Sequence, residues 1–348
     1  MNRSQLVRTT TIYGAAGAIL AACIGASLAT RKPPPADGGG AVRLPQDPAI
    51  SQSEVLPLTA VRTPADFGDR AFAHARAITE MGQRDPGTPG WTQQLDYIEA
   101  QLRGCGIAAE RDTWTDAKEK ITFTNLSATI PGKRQERIVL ACHHDTKRMS
   151  GHPDPEHNFA FVGANDGASG VAVLLALAPL LAAGPREATI ELVFFDGEES
   201  LDWSWNDAAR ALFGSKRYVK RQRDAELLGE ASRIAAMVLL DMVGRTDLHI
   251  QEELYSTTHL RQLLWSAAVA CGHQQHVFRR AEAAADDHKP FLEVGIPALD
   301  LIDLNGNPHW HKPTDTLANL APASLRITGD LVLTMLPAIE RDYVLQKR

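Results

Sequence analysis

Three apolar runs in this chain each stop abruptly at acidic or imidazole side chains. Residues 193–200, VFFDGEES, show the pattern most sharply: Val193, Phe194 and Phe195 give way to Asp196, Gly197, Glu198 and Glu199. So apolar a run reads as a buried strand. Carboxylates at its end can be buried only if something neutralises them. A metal ion would do so. The plain alternative is an exposed loop of solvated acids, because adjacent glutamates are common on surfaces. A second run, ERIVLACHHD, ends at His143, His144 and Asp145, and a third, SRIAAMVLLDMVG, reaches Asp241. Ligands of open α/β sheets bind beyond the carboxyl ends of the strands. Three strands therefore deliver His, Asp and Glu to one edge, which favours the metal.

The other segments fit the same class. Helical spacing marks ADFGDRAFAHARAITEM, GWTQQLDYIEAQLRGCG and TTHLRQLLWSAAVACGH. GASGVAVLLALAPLLAAG is a strongly apolar helix and PASLRITGDLVLTMLPAIERDYV a closing one. ITFTNLSATI alternates like a strand, and IPALDLID is a late strand. Strands alternating with helices imply an α/β three-layer sandwich. Its central sheet is mixed but largely parallel, with helices on both faces.

The first residues differ from the body. MNRSQLVR is basic, an uncharged run of about 22 residues follows, and KPPPADGGG comes after it. Residues 1–30 read as a signal or membrane anchor, 31–55 as a flexible linker and 56–348 as the catalytic domain. LAAC, ending at Cys23, also resembles a bacterial lipoprotein cleavage site. Either way the body is expected in the cell envelope or periplasm, tethered to a membrane and monomeric. A net charge of -6 argues against a nucleic-acid partner. Beyond Cys23, the cysteines Cys105, Cys142 and Cys271 fit no zinc-thiolate spacing and read as small buried apolar residues.

Five segments carry the chemistry: CHHDTK, GANDGASG with Asp166, DGEES, LLDMVG with Asp241, and PHWHKPTDT with His309 and His311. A sixth, ADDHKPF, offers Asp286, Asp287 and His288. Mixed His and carboxylate ligands suit zinc. Glu198 and Glu199 are neighbours, so one can ligate while the other moves protons. Asp166 has a second reading as a helix N-cap, Asp145 as a partner orienting His143, and Trp310 as ordinary packing. His144, His309, Asp303, Asn305 and Asn307 read as loop residues. His288 reads as capping or packing, and Asp286 as a solvated neighbour of Asp287.

The order of these motifs resembles the zinc aminopeptidase family from about Asp85 to Thr316, and more closely the glutaminyl cyclases that share its fold. RDPGTPG, ACHHDTK, DDHKPFLEVGIPALDLI and HWHKPTDT carry the second likeness. So does FFDGEESLDWSWNDAARALFGSKRYV. The resemblance implies one zinc held by Asp166, Glu199 and His311, with Glu198 as general acid/base. It implies an acidic network of Asp241 and Asp287, and pocket walls of Trp203 and Trp310, with Trp205 competing for the Trp203 place. Animal cyclases pair a cysteine at the Cys142 position with one soon after the zinc Asp. GASGVAVLL has none, so that disulfide is absent. The implied reaction cyclises N-terminal glutamine of peptides or proteins to pyroglutamate. The aminopeptidase alternative places a second zinc at His143 and Asp241. A third reading is a metal-stabilised scaffold without catalysis.

Overall fold

The computed structural model describes residues 46–203, 205 and 207–346. The expected anchor, Met1 to Thr30, lies outside them. Among the described residues no helix is long and apolar enough to cross a membrane.

A six-stranded sheet in the order β1-β2-β4-β3-β5-β8 forms the centre. β1 (Ala109–Thr115), β2 (Thr122–Ile130) and β4 (Thr189–Phe195) pair antiparallel. β3 (Arg137–His143), β5 (Ile234–Asp241) and β8 (Ala298–Ile302) continue in parallel from β4. β6 (Ile250–Glu253) and β7 (Val277–Glu282) form a separate parallel pair.

Side-chain alternation splits the core in two. Ile138, Leu140, Ile190, Leu192, Val238 and Leu240 face one layer of helices. That layer contains α1 (Phe67–Thr79), α2 (Pro89–Gly104), α3 (Ala168–Ala182), α5 (Thr258–Cys271) and α7 (Pro322–Ile339). Val139, Ala141, Val193, Phe195, Met237 and Leu239 face the other way. There they meet Tyr218 and Val219 of α4 (Phe213–Leu227) and Phe291 of α6 (Lys289–Glu293). The three-layer sandwich expected from the sequence is the observed fold. α3 is buried over nearly its whole circumference, as a helix apolar all round must be.

Parallel register brings the strand ends level. His143 pairs with Phe195, and Asp241 with Ile302. The polar residues that follow each strand therefore share one edge of the sheet.

The linker expected over 31–55 joins the body before residue 56. Ile50 N–H donates to Glu252, and the Gln52 amide donates to the Phe278 carbonyl. The Glu54 carbonyl accepts from Gln262. These polar groups find partners on the body, which composition alone does not reveal. Cys105, Cys142 and Cys271 are free, with Cys105 only half-buried.

Asp330 on α7 closes the start of the body. It accepts from Thr63 N–H and Thr63 Oγ1, both at 2.7 Å, and from Arg62 at 3.1 Å. His273 lies 3.1 Å away. Burial works to raise its pKa, but His273, Thr63 and Arg62 outweigh it and hold it at about 2. A depressed carboxyl stabilises the fold above its ordinary pKa of 3.8 and loses that contribution as pH falls through about 2. Asp330→Asn should cost roughly 2 kcal/mol near neutral pH. Denaturant titrations should find the gap from wild type closing as pH falls from 3.8 toward 2. A gap constant with pH contradicts the assignment.

Candidate active site

The three carboxylates after β4 have three different surroundings. Asp196 is fully buried and accepts from the Trp91 indole at 2.9 Å and from Thr124 N–H at 2.6 Å. It is a structural anchor. Gly197 then turns the chain with φ of 69°; a Cβ there would lie 2.6 Å from the Phe123 ring. The turn sends Glu198 and Glu199 toward the sheet edge. Asp145 secures it from below, accepting from Glu198 N–H at 3.2 Å and Glu199 N–H at 3.3 Å. From above, Leu212 N–H donates to the Glu198 carbonyl at 3.0 Å.

Asp166 sits at the centre of the site, just before α3. Asp315 holds it there, accepting from Asn165 N–H at 2.8 Å and from Asp166 N–H at 3.0 Å. One Asp166 oxygen lies 3.3 Å from His143 Nε2, and the other lies 3.4 Å from His311 Nε2. His311 Nε2 is 3.0 Å from Glu199, and His143 Nε2 is 3.0 Å from Asp241. Two ligand groups therefore share Asp166: Asp166, Glu199 and His311, and His143, Asp166 and Asp241. Within each group the candidate donor atoms lie within 4.8 Å of one another.

These residues fit a cation. Asp166 Oδ2 and Glu199 Oε2 are buried and accept no hydrogen bond, with only His311 Nε2 at 3.4 Å and Lys147 Nζ at 3.6 Å beside them, whereas buried anionic oxygens ordinarily accept one. Both belong to the first group. In that group Asp166, Glu199 and His311 all line an open cavity, whereas His143 of the second group does not. Carboxylate and imidazole donors in this number suit zinc with a coordination position left open.

Burial raises the Glu198 pKa well above the usual carboxylate range; His143 pulls it down, while Glu199, Asp286 and Asp287 push it further up. Burial also opposes ionisation of Glu199, but His311 and Lys147 outweigh it and bring that group to about 2. Two adjacent glutamates are thus driven apart: one is poised to carry a proton, the other held as an anion. Glu198 lines the cavity and makes no side-chain hydrogen bond among the described residues.

The cavity is about 430 Å³ and is lined by Trp203, Trp205 and Trp310 together with Met242, Ile302 and Leu304. Trp203 and Trp205, which the sequence presents as competitors, both line it. Trp203 stacks on His157 and Trp310 on His311. Trp205, Met242 and His311 all have positive φ, near 50°, which non-glycine residues rarely adopt. Backbone strain is thus concentrated around the cavity.

Two readings change. Asp287, expected beside Asp241 in the acidic network, is fully buried, is not part of the cavity wall, and accepts from Ser215 Oγ. Asp286, expected as a solvated neighbour, is buried and lines the cavity. The bend before α6, not sequence spacing, decides which of the adjacent acids points inward. His144 is a loop residue as expected, buried between Gln94 and the Thr124 carbonyl. His288 packs as expected, 3.0 Å from Glu253. Asp303 is buried in a paired contact with Arg245. Asp315 and Lys147 were passed over, although both lie in motifs singled out above. Lys147 is buried, donates to the Ser200 and Asp202 carbonyls, and lies 3.6 Å from Glu199.

Removing an imidazole from the first group should open its cation site. His311→Ala should keep far-UV circular dichroism but retain much less zinc after dialysis. Zinc content equal to wild type contradicts the ligand assignment.

Comparison with known proteins gives a consistent result. The pattern of Peptidase family M28 matches residues 125–336. A glutaminyl-peptide cyclotransferase-like protein of Bos taurus is 31% identical over 275 residues, covering 70% of this chain and 68% of that protein. The glutaminyl-peptide cyclotransferase of Drosophila melanogaster is 30% identical, covering 66% and 69%. Among solved structures, an Acidobacteriales bacterium glutaminyl cyclase superposes with a TM-score of 0.71 at 32% identity, covering 82% of this chain and 99% of that one. By sequence pattern, overall likeness and fold, this chain belongs to Peptidase family M28 and, within it, to the glutaminyl-peptide cyclotransferases.

Proposed function

We propose that this chain converts the N-terminal glutamine of peptides or proteins to pyroglutamate, releasing ammonia. The observation that carries the reading is the pairing of an unbonded cavity carboxyl, Glu198, with a cation site beneath a tryptophan-walled hollow. The relatives' activity supports it.

Zinc held by Asp166, Glu199 and His311 would supply Lewis acidity to the substrate's side-chain amide oxygen. Glu198 takes a proton from the attacking α-amine as nitrogen bonds to the side-chain carbonyl carbon. It returns that proton to the leaving nitrogen as the carbon–nitrogen bond breaks and ammonia departs. Its raised pKa suits a group that both accepts and donates. Trp203, Trp205 and Trp310 exclude water and hold the amine near the carbonyl, which favours ring closure over hydrolysis. Asp241 and Asp286 line the same wall and complete the acidic network in place of Asp287.

A single zinc is the favoured stoichiometry, because Asp166, Glu199 and His311 all line the cavity while His143 of the second group does not. The two-zinc aminopeptidase is the second reading. It is favoured by one observation, the intact His143, Asp166 and Asp241 group. We also propose that residues 1–30 tether the catalytic body to a membrane outside the cytoplasm.

Glu198→Gln should keep zinc and fold while ammonia release from a glutaminyl peptide falls at least about a hundredfold. Near-normal turnover overturns the role. Asp286→Asn should lower kcat at least about tenfold with the unfolding midpoint nearly unchanged. Asp287→Ala should destabilise by roughly 2 kcal/mol while the folded fraction stays active. The reverse pattern would restore Asp287 to the network.

A further inference from the structure

Arg279 and Arg280 line a second polar hollow beside the cavity. They belong to β7, which pairs irregularly with β6. Ile250 lies opposite Val277, and Glu252 lies opposite Ala281. Two steps along β6 thus match four along β7, so β7 carries two extra residues. Phe278, within this bulge, has φ of 60°. In a regular strand, consecutive side chains point to opposite faces. A bulge can re-aim them. Here it turns two consecutive arginines into one hollow, which Arg245, Asp247, His249 and Asn305 also line.

The charges in the hollow are not balanced. Arg245 is committed to Asp303, at 2.8 and 2.9 Å. Arg279 donates to His249 Nε2 at 2.6 Å, and the His249 ring lies 2.9 Å from the Asp247 carbonyl through Nδ1. Arg280 donates to the Asn305 carbonyl at 3.0 Å. Its guanidinium lies so close to Gly306 that a Cβ there would come 2.0 Å from Nη1. Among the described residues neither Arg279 nor Arg280 has a carboxylate within ion-pair distance. The exposed Asp247 lies 3.5 Å from His249 instead.

The hollow adjoins the cavity along two segments. Leu304 lines the cavity and Asn305 the hollow. Ala283 lines the cavity three residues after Arg280, a span of about 10 Å for extended chain. A peptide with its first residue in the cavity would bring its third to fifth residues within reach of the two guanidinium groups. Planar guanidinium groups match carboxylates in a bidentate fork.

We infer that Arg279 and Arg280 form a subsite for acidic side chains downstream of the reacting residue. This rests on the glutaminyl-peptide reading of the cavity. The test compares glutaminyl peptides that are neutral, glutamate-bearing or lysine-bearing at positions three to five. The full chain should cyclise the glutamate peptide with kcat/KM about fivefold above the neutral one, through KM, with the advantage fading in high salt. Arg279→Gln/Arg280→Gln should bring that ratio to about one and leave the neutral peptide's kcat unchanged. No acidic preference in the wild type, or a preference that survives in the variant, overturns the subsite alone. Failure to cyclise even the neutral peptide overturns the reading of the cavity on which the subsite rests.

Discussion

Crowding of buried carboxylates governs this structure. Asp145, Asp166, Glu198, Glu199, Asp241 and Asp286 gather at one sheet edge, and each is buried. Like charges at such spacing cannot all ionise without compensation. His143, His311 and Lys147 supply part of it. Burial works against charge on His143, yet Asp241, Asp145 and Asp166 raise its pKa well above the ordinary imidazole value. Among these acids, oxygens of Asp166, Glu199 and Asp286 still lack a hydrogen-bond partner.

The scaffold holds these groups by backbone hydrogen bonds more than by side-chain contacts. Asp145 binds the amides of Glu198 and Glu199, and Asp315 binds those of Asn165 and Asp166. Burial, then Asp166 nearby, raises the Asp315 pKa to about 7. Fully buried Arg84 ties the segment before Asp166 through the Val162 and Gly163 carbonyls. Such support suits chemistry that depends on fixed distances, because the reacting groups then need little reorganisation.

The buried strands and their polar ends were legible because strand period and apolar content agree there. His143, Asp241, Glu198 and Glu199 could be placed at one edge on that basis. Other parts carried no such signal. α4 is rich in Lys and Arg and buries only Gly214, Ser215, Tyr218 and Val219. β1 is a half-exposed edge strand with an irregular apolar pattern. β7 is interrupted by the Phe278 bulge, which breaks the period that reveals strands. The Asp286 and Asp287 pair shows the limit most clearly: adjacent acids are alike in sequence, and only the backbone path separates cavity wall from buried anchor.

The central claim is that Asp166, Glu199 and His311 form the working cation site. Titrating zinc into metal-stripped protein while following cyclisation of a glutaminyl peptide and hydrolysis of a leucyl peptide tests it most directly. Cyclisation should rise and plateau at about one zinc per chain, with no leucine released. Leucine release that climbs to about two zincs per chain would contradict the claim and assign the same residues to hydrolysis.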